Sequence, residues 1–250
     1  MGSRSESEQT NNAASWLEVS IHGHQGDVPA LLWLPSYPTG APICMLGHGG
    51  SSSKSSARNE RLGNALASRG IAALAIDGPF HGDRGAASQD AGDYQHRMIE
   101  FGVASVIGSM VVDWLAALEA AHEVAGVDQN RCGYIGLSLG SRFGIPLAAE
   151  LGQRLRCAVF GKFGLEQSTR LPKELATTEL IEGAARRIEA PLLLHVQRGD
   201  ELFPFSGALG LFDAFGSPDK VMTLRPGAHA DSHGADEQTW IDFVAGRLRP

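Results

Sequence analysis

The stretch RCGYIGLSLGSRFG, residues 131–144, places Ser138 midway between Gly136 and Gly140, directly after an apolar run. The apolar run predicts a buried strand, and the residues after Ser138 predict a helix. Small residues on both sides of the serine allow a sharp turn and let the strand and the helix pass closely. The rest of the sequence must show whether this turn exists to present Ser138.

Around this stretch, short apolar runs alternate with amphipathic segments. The runs WLEVSIHG and VPALLWLP, separated by HQGD, predict an antiparallel pair of strands. About six further apolar strands follow with helices between them, which is typical of a mostly parallel sheet covered on both faces. We therefore predict a single doubly wound α/β domain over 16–250, preceded by a polar, disordered segment over 1–15.

Two parts of this domain depart from regular alternation. The segment 165–190 is more polar and longer than an ordinary connection, so we expect a small cap over one end of the sheet. A long helix is expected from Tyr94 to Ala125, with breaks near Gly102 and Gly108, because glycine weakens a helix interior.

Composition and charge argue against several classes of partner. Hydrophobic residues make up 43% of the 250-residue chain, the ordinary share for a globular protein. The net charge of −7 disfavours nucleic acid and anionic membranes, since both would repel it. We see no uninterrupted apolar stretch of the roughly 18–20 residues that a membrane helix requires, and no signal-peptide core. We expect a cytoplasmic protein that binds neither nucleic acid nor a membrane.

The chain has three cysteines, Cys44, Cys132 and Cys157, each in or beside an apolar run. An odd count without close spacing fits neither a disulfide framework nor a zinc site. The histidines likewise show no paired spacing of the kind that holds a metal. We expect buried free thiols, no bound metal and no cofactor.

Three reactive side chains each follow a predicted strand, in the order Ser138, Asp200, His229. Ligands of open parallel sheets bind beyond the carboxyl ends of the strands, so these residues are expected to meet there. A serine hydroxyl needs a base to take its proton, imidazole is suited to that task near neutral pH, and a carboxylate behind it orients the ring. His233 stays an alternative base, and Glu201 an alternative acid.

Four motifs in this order resemble those of the α/β-hydrolase fold superfamily. Besides the G-x-S-x-G turn, they are LGHGGSS (46–52), IDGPFHGDR (76–84) and QRGDELFP (197–204), which resemble the family's oxyanion loop, the loop after the next strand and the acid loop. The hairpin and the cap are similar to the small-esterase, dienelactone-hydrolase-like branch, here with a serine nucleophile. The resemblance covers roughly residues 16–250.

An oxyanion hole needs two backbone N–H groups aimed at the developing negative charge. Leu139 is expected to supply one, because it follows the serine at the start of a helix. The resemblance implies that Gly50 supplies the other, with Ser51 as the alternative. His48, in the same loop, is interpreted as a structural residue that bonds nearby backbone.

Further side chains at the same end of the sheet are candidates for substrate contacts. They are Phe80, His81 and Phe163. Each also has a structural interpretation, which is core packing for the phenylalanines and loop anchoring for His81. For Lys162, a solvated lysine is favoured over a contact with an anionic substrate group.

The predicted activity is cleavage of a carboxylic ester, lactone or thioester of a small-molecule acyl substrate through an acyl-enzyme. Two alternatives stay open. The same fold hosts C–C bond hydrolases, acyltransferases, cyclases and lyases, and a ligand-binding protein could retain a nearly idle triad. A homodimer is also left open, because small and apolar residues in the helices expected at 103–120 and 207–215 could face either a core or a partner.

Overall fold

An eight-stranded sheet forms the centre of the computed structural model, which describes residues 15–23, 26–85 and 91–248. The strands are Ser15–Gly23 (β1), Gly26–Leu34 (β2), Pro42–Gly47 (β3), Ala72–Ile76 (β4), Asp128–Leu137 (β5), Leu155–Gly161 (β6), Leu192–Gln197 (β7) and Lys220–Arg225 (β8). Their order across the sheet is β1-β2-β4-β3-β5-β6-β7-β8. β1 pairs antiparallel with β2, β2 pairs antiparallel with β4, and the strands β3 to β8 run parallel. The predicted mostly parallel sheet with an N-terminal antiparallel hairpin is confirmed.

Helices cover both faces of the sheet, which explains why β3, β4 and β7 are buried along their whole length and why β3 and β4 are apolar throughout. The α-helices are Ala57–Ala67 (α1), Ala91–Glu100 (α2), Val103–Ala125 (α3), Leu139–Leu151 (α4), Thr178–Ala185 (α5), Phe205–Ala214 (α6) and Gly234–Leu248 (α7), and short 3-10 turns occur at Gly82–Arg84, Gly152–Arg154 and Lys173–Leu175. The helices α1 and α7 pack on one face, and α3 to α6 pack on the other. Residues 1–14 of the segment predicted to be disordered lie outside the described residues, and Ser15 begins β1.

The long helix predicted from Tyr94 to Ala125 is divided once. Gly102, with φ +83°, separates α2 from α3. The predicted break at Gly108 was wrong, because α3 continues through it. The buried side of α3, with Met110 and Trp114, packs on the sheet, and this packing outweighs the roughly 1 kcal/mol that an internal glycine costs a helix.

By length and composition alone, α3 could cross a membrane, and within the described ranges no other helix meets that test. Asp113, Glu119 and Glu123 interrupt the helix, so α3 meets this test without being an uninterrupted apolar stretch. Half of its most apolar window is buried inside the protein, and the core helix of a soluble protein passes the same test. The observation is weak evidence for a membrane span.

The three cysteines are free and buried, as predicted. Burial raises the pKa of the Cys132 and Cys157 thiols to about 12, so both stay protonated near neutral pH. Within the described ranges, no group of three or more His, Cys, Asp or Glu side chains is arranged to hold a metal ion.

A contact lined by glycines brings α4 against the end of β3. A Cβ atom on Gly47, Gly136 or Gly144 would overlap the fully buried Tyr134 side chain, whose hydroxyl donates a 2.6 Å hydrogen bond to the Gly140 carbonyl. A Cβ on Gly140 would itself lie 3.0 Å from the Gly47 carbonyl oxygen. This glycine contact therefore lets the helix that follows Ser138 lie directly beside the loop that follows β3.

Replacing Gly144 with alanine tests the glycine contact. We expect the free energy of unfolding to fall by about 1–3 kcal/mol, because the added methyl group overpacks the buried Tyr134 ring. Denaturant unfolding measures the change. Gly108→Ala is the matched control, since Gly108 is exposed in α3 with no atom near a Cβ, and it is expected to raise stability by up to about 1 kcal/mol. Equal losses in the two variants would contradict the account.

Candidate active site

Ser138 occupies a strained turn between β5 and α4, with φ +57° and ψ −116°. Such a conformation costs a non-glycine residue roughly 1–3 kcal/mol and persists only where the surroundings hold it. The Ser138 N–H donates to the Gly161 carbonyl at 2.9 Å. The Ser141 hydroxyl accepts from the Gly161 N–H at 2.9 Å and lies within hydrogen-bond reach of the Gly136 and Gly161 carbonyls. These bonds to the neighbouring strand β6 hold Ser138 in the turn.

The structure brings Ser138, His229 and Asp200 together in one chain of hydrogen bonds. Ser138 Oγ lies 2.9 Å from His229 Nε2, and His229 Nδ1 lies 2.8 Å from Asp200 Oδ2. The three residues follow β5, β8 and β7, at the carboxyl ends of parallel strands. The arrangement has the geometry of a nucleophile, a base and an orienting acid.

The environment of Asp200 keeps its carboxyl group ionised. Burial raises the pKa of this group, but the hydrogen bond with His229 and those from the Phe203 and Leu202 N–H groups, each 2.9 Å long, outweigh burial, so the pKa lies below its usual range. A carboxylate only accepts, so His229 Nδ1 carries the hydrogen that faces it. In neutral imidazole this leaves Nε2 free to accept from the Ser138 hydroxyl.

The two alternatives from the sequence occupy other positions. Glu201 Oε2 accepts the backbone N–H of His229 at 2.9 Å, so it supports the loop rather than the imidazole ring. His233 is exposed, and its carbonyl accepts the Asp236 N–H at 2.9 Å near the start of α7. Neither side chain takes part in the hydrogen-bond chain to Ser138.

Leu139, Gly50 and Ser51, the candidate oxyanion donors, line the same cavity as Ser138. Leu139 is the first residue of α4, so its N–H has no acceptor inside the helix. A Cβ on Gly50 would overlap the end of the Tyr94 side chain, so glycine lets this ring lie close to the loop.

His48 orients the peptide that carries the Gly50 N–H. Its Nδ1 lies 2.8 Å from the Gly49 carbonyl, and its Nε2 accepts the Gly78 N–H at 2.9 Å. Because Gly78 N–H only donates, Nε2 is unprotonated and Nδ1 donates to Gly49, which defines a neutral tautomer. Burial lowers the pKa of His48 to about 3, in agreement with a neutral ring. The C=O and N–H of a trans peptide point in opposite directions, so holding the Gly49 carbonyl also sets the direction of the Gly50 N–H.

His81 does the same for the next peptide of this loop. Its Nε2 lies 3.0 Å from the Gly50 carbonyl and its Nδ1 2.8 Å from the Pro79 carbonyl. Burial lowers the pKa of His81, and a neutral ring donates to one of these carbonyls at a time. Holding the Gly50 carbonyl sets the direction of the Ser51 N–H, so both candidate donors are anchored and the choice between them stays open.

A cavity of about 400 Å³ opens beside Ser138. Its wall includes Tyr94 and Met98 of α2 together with Leu171 and Leu175 of the segment 165–190, which was predicted to form a cap. The sequence predicted that specificity lies in the segments 82–100 and 165–190, and α2 is the part of the first that lines the cavity. The spacing of Tyr94 and Met98 places both side chains on one helical face.

Comparison with solved structures finds esterases. Over 99% of this chain and 100% of the other, a cold-adapted esterase from an Arctic intertidal metagenomic library superposes with a TM-score of 0.83 at 26% identity. The chain has an α/β-hydrolase fold. Acetyl xylan esterases from Paenibacillus sp. R4 and from Thermoanaerobacterium sp. JW/SL YS485 share this fold at 20% identity, with TM-scores of 0.75 and 0.74, over 97% and 98% of this chain and 88% and 87% of theirs.

These neighbours support a hydrolase enzyme, as predicted from the sequence motifs. The assignment to the dienelactone-hydrolase-like branch is not confirmed by them and stays a prediction. No protein-family model matches the sequence, and no curated protein matches it.

Phe80, His81 and Phe163 do not lie on the wall of the hydrolase's main cavity. The Phe80 ring packs on Phe101, with their ring centres 5.3 Å apart, and the buried His81 ring lies behind Gly50. Phe163 is buried against Phe203, at 4.8 Å between ring centres. The structural interpretation fits all three side chains better than a substrate contact does.

The hydrolase is expected to lose stability in acid partly through His48. Its pKa is about 3 in the fold, against 6.5 for an ordinary histidine, so the unfolded chain binds one more proton between these values and the free energy of unfolding falls as pH falls below 6.5. Between pH 7 and pH 5 the free energy of unfolding of the wild type falls, and we expect His48→Asn to make this fall smaller by about 2 kcal/mol. Denaturant unfolding at pH 7, 6 and 5 measures it.

His96→Asn, on the exposed side of α2, is the control for this measurement and is expected to leave the pH dependence unchanged. The same pH dependence in His48→Asn and the wild type would contradict a buried, neutral His48.

Proposed function

We propose that this α/β-hydrolase cleaves carboxylic esters through an acyl-enzyme, with Ser138 as the nucleophile, His229 as the base and Asp200 as the orienting acid. The observation that carries the proposal is the unbroken chain of hydrogen bonds from Ser138 Oγ through His229 to Asp200, 2.9 and 2.8 Å long, on the wall of a cavity. Lactones and thioesters fall within the same acyl chemistry.

In the first half of the reaction, Ser138 Oγ attacks the carbonyl carbon while its proton passes to His229 Nε2. The carbonyl oxygen becomes an oxyanion that accepts from the N–H groups of Leu139 and of Gly50 or Ser51, and Asp200 stabilises the imidazolium. His229 then gives the proton to the departing alcohol oxygen as the C–O bond breaks. The products of this half are the free alcohol and an ester of Ser138.

In the second half, water attacks the acyl group on Ser138. His229 Nε2 takes a proton from this water, the second tetrahedral intermediate uses the same oxyanion donors, and the proton returns to Ser138 Oγ as the acid leaves. The enzyme is regenerated, and each turnover consumes one water molecule. All proton transfers pass through one imidazole nitrogen, which explains the need for a fixed tautomer.

The structural neighbours favour ester hydrolysis over the alternatives. The esterase that superposes over 99% of this chain supports hydrolysis of an ester bond. No feature that we identify in the described residues favours C–C bond cleavage, acyl transfer, cyclisation or elimination, or ligand binding with an idle triad. These remain predictions that the assay of ester hydrolysis also tests.

Separate substitutions of Asp200 and of its neighbour Glu201 distinguish an acid that orients the imidazole from one that only adds a nearby negative charge. On 4-nitrophenyl acetate and butyrate we expect Asp200→Asn to lower kcat roughly 10²- to 10⁴-fold, because the imidazole loses its fixed tautomer and its countercharge. Glu201→Gln removes the adjacent charge but keeps Asp200, which is the hydrogen-bond partner of the His229 ring. We therefore expect kcat to fall by less than about tenfold. Steady-state kinetics at neutral pH measures both.

Ser138→Ala completes this experiment and is expected to lose at least roughly 10³-fold in kcat. Circular dichroism confirms that each variant is folded. Retained turnover in folded Ser138→Ala, or equal losses in Asp200→Asn and Glu201→Gln, would contradict the proposal. A folded wild type that binds esters without cleaving them would favour the ligand-binding alternative.

A further inference from the structure

The wall of the main cavity carries positive charge without carboxylates. Three cationic side chains, Arg58, Arg142 and Lys162, line it together with Ser138, and no Asp or Glu is found among the described residues that line it. None of the three forms an ion pair within 4.0 Å with a carboxylate in the described part of the chain. The chain as a whole has a net charge of −7, so this local excess of positive charge is not a general property of its surface.

Arg142 is the most informative of these side chains. It lies on α4, one turn after Ser138, and is only 5% exposed. Its Nη1 donates to the Leu175 carbonyl and to the Thr177 hydroxyl, whereas its Nε and Nη2 make no hydrogen bond to a described residue. Neither of these nitrogens is among the fully buried side-chain atoms without a partner, and the Arg142 side chain lines the cavity.

The Arg142 guanidinium is charged and lies over the Phe163 ring, 5.3 Å from its centre, but it has no carboxylate partner among the described residues. Burial lowers the pKa of Arg142 to about 10, which still leaves it protonated at neutral pH. Buried polar groups are nearly always hydrogen-bonded, and a buried charge without a counter-ion is costly. The free Nε and Nη2 of Arg142 therefore mark a place where an anionic ligand would replace a missing partner.

Arg58 contributes a second guanidinium to the same wall. Its Nη2 makes a 3.3 Å hydrogen bond to the Gly47 carbonyl. Glu237, the acid that acts on its charge, accepts two hydrogen bonds from Arg61, at 2.9 and 2.7 Å. Arg58 therefore also lacks a carboxylate of its own.

Lys162 plays a different part. It is 6% exposed, so the expectation of a solvated lysine was wrong. Its Nζ donates to the Asp231 carbonyl, in the loop that carries His229, and the Asp200 and Asp231 carboxylates act on its charge. Lys162 thus fastens the loop of the base and adds to the positive field, while the arginines keep free donors.

We propose that the ester substrate carries an anionic group, of the carboxylate class, that is bound by Arg142 and Arg58. The inference rests on the proposed function and adds the substrate class to it. A guanidinium offers two parallel N–H donors that match the two oxygens of a carboxylate, and such charge-assisted pairs are about twice as strong as neutral hydrogen bonds. The substrate thereby supplies the counter-ion that the described residues of the wall lack.

Two matched pairs of esters test the charge preference. The first pair is mono-4-nitrophenyl adipate and methyl 4-nitrophenyl adipate, which differ in charge on the acyl side. The second pair is 4-acetoxybenzoate and its methyl ester, which differ on the alcohol side. We expect the wild type to prefer the anionic member of at least one pair by roughly tenfold or more in kcat/KM.

Three variants assign this preference to the arginines. Arg142→Gln and Arg58→Gln are each expected to lower the ratio of anionic to neutral kcat/KM by about tenfold, and Arg142→Lys to restore part of it. Arg156→Gln is the matched control, because it removes one positive charge from an exposed position at the start of β6, at the far end of the sheet. It is expected to keep the wild-type ratio.

The outcomes separate the inference from the proposed function. Hydrolysis that depends on Ser138 but prefers the neutral ester in both pairs, or a ratio that neither arginine variant changes, would overturn the anionic substrate and leave the esterase in place. If the wild type cleaves none of the esters, calorimetry with folded Ser138→Ala decides. Adipate binding that Arg142→Gln weakens about tenfold would support the anion site, and equal binding of adipate and dimethyl adipate would overturn it.

Discussion

The close approach of helix α4 to the end of strand β3 is the constraint on which the candidate site depends. It exists because glycine occupies the positions around Tyr134, whose hydroxyl binds the Gly140 carbonyl. The approach places the first N–H of α4 and the loop after β3 on the wall of one cavity. A side chain at Gly140 would push these two elements apart, so the G-x-S-x-G pattern serves packing as well as the exposure of Ser138.

Buried polar contacts between the loops after β3 and β4 extend this rigid frame. The Lys54 N–H donates to Asp77 at 2.8 Å, and its ammonium pairs with Asp77 at 3.1 Å and with Asp83. His48 joins the same two loops through its bonds with Gly49 and Gly78. Breaking a buried ion pair by removing one partner typically costs roughly 3–5 kcal/mol, so these contacts hold the two loops firmly together.

The features that the sequence predicted correctly are local to a strand or to its end. Strands such as β3 and β4 are continuous apolar runs, and Ser138, Asp200 and His229 come shortly after the ends of β5, β7 and β8. What could not be predicted depends on contacts between distant elements or on backbone turns. Gly108 stays helical because α3 packs on the sheet, which no local propensity reveals.

For the residues considered as substrate contacts, the direction of the single side chain could not be predicted from the sequence. Phe80 and Lys162 both have positive φ, +68° and +47°, so their side chains leave the backbone in directions that sequence spacing does not predict. The hydrogen-bond donors of Arg142 that have no partner could not be predicted from the sequence for a related reason. Its position on α4 can be predicted from the sequence, but the cavity beside it is formed by distant parts of the chain, among them α2 and the segment 165–190.

Intact-mass analysis after treatment with a fluorophosphonate probe tests the central claim most directly, because only an activated serine reacts with it. We expect one adduct on the wild type, mapped to the peptide that contains Ser138, and no adduct on folded Ser138→Ala. No adduct on folded wild type, or an adduct that persists in the variant, would contradict it.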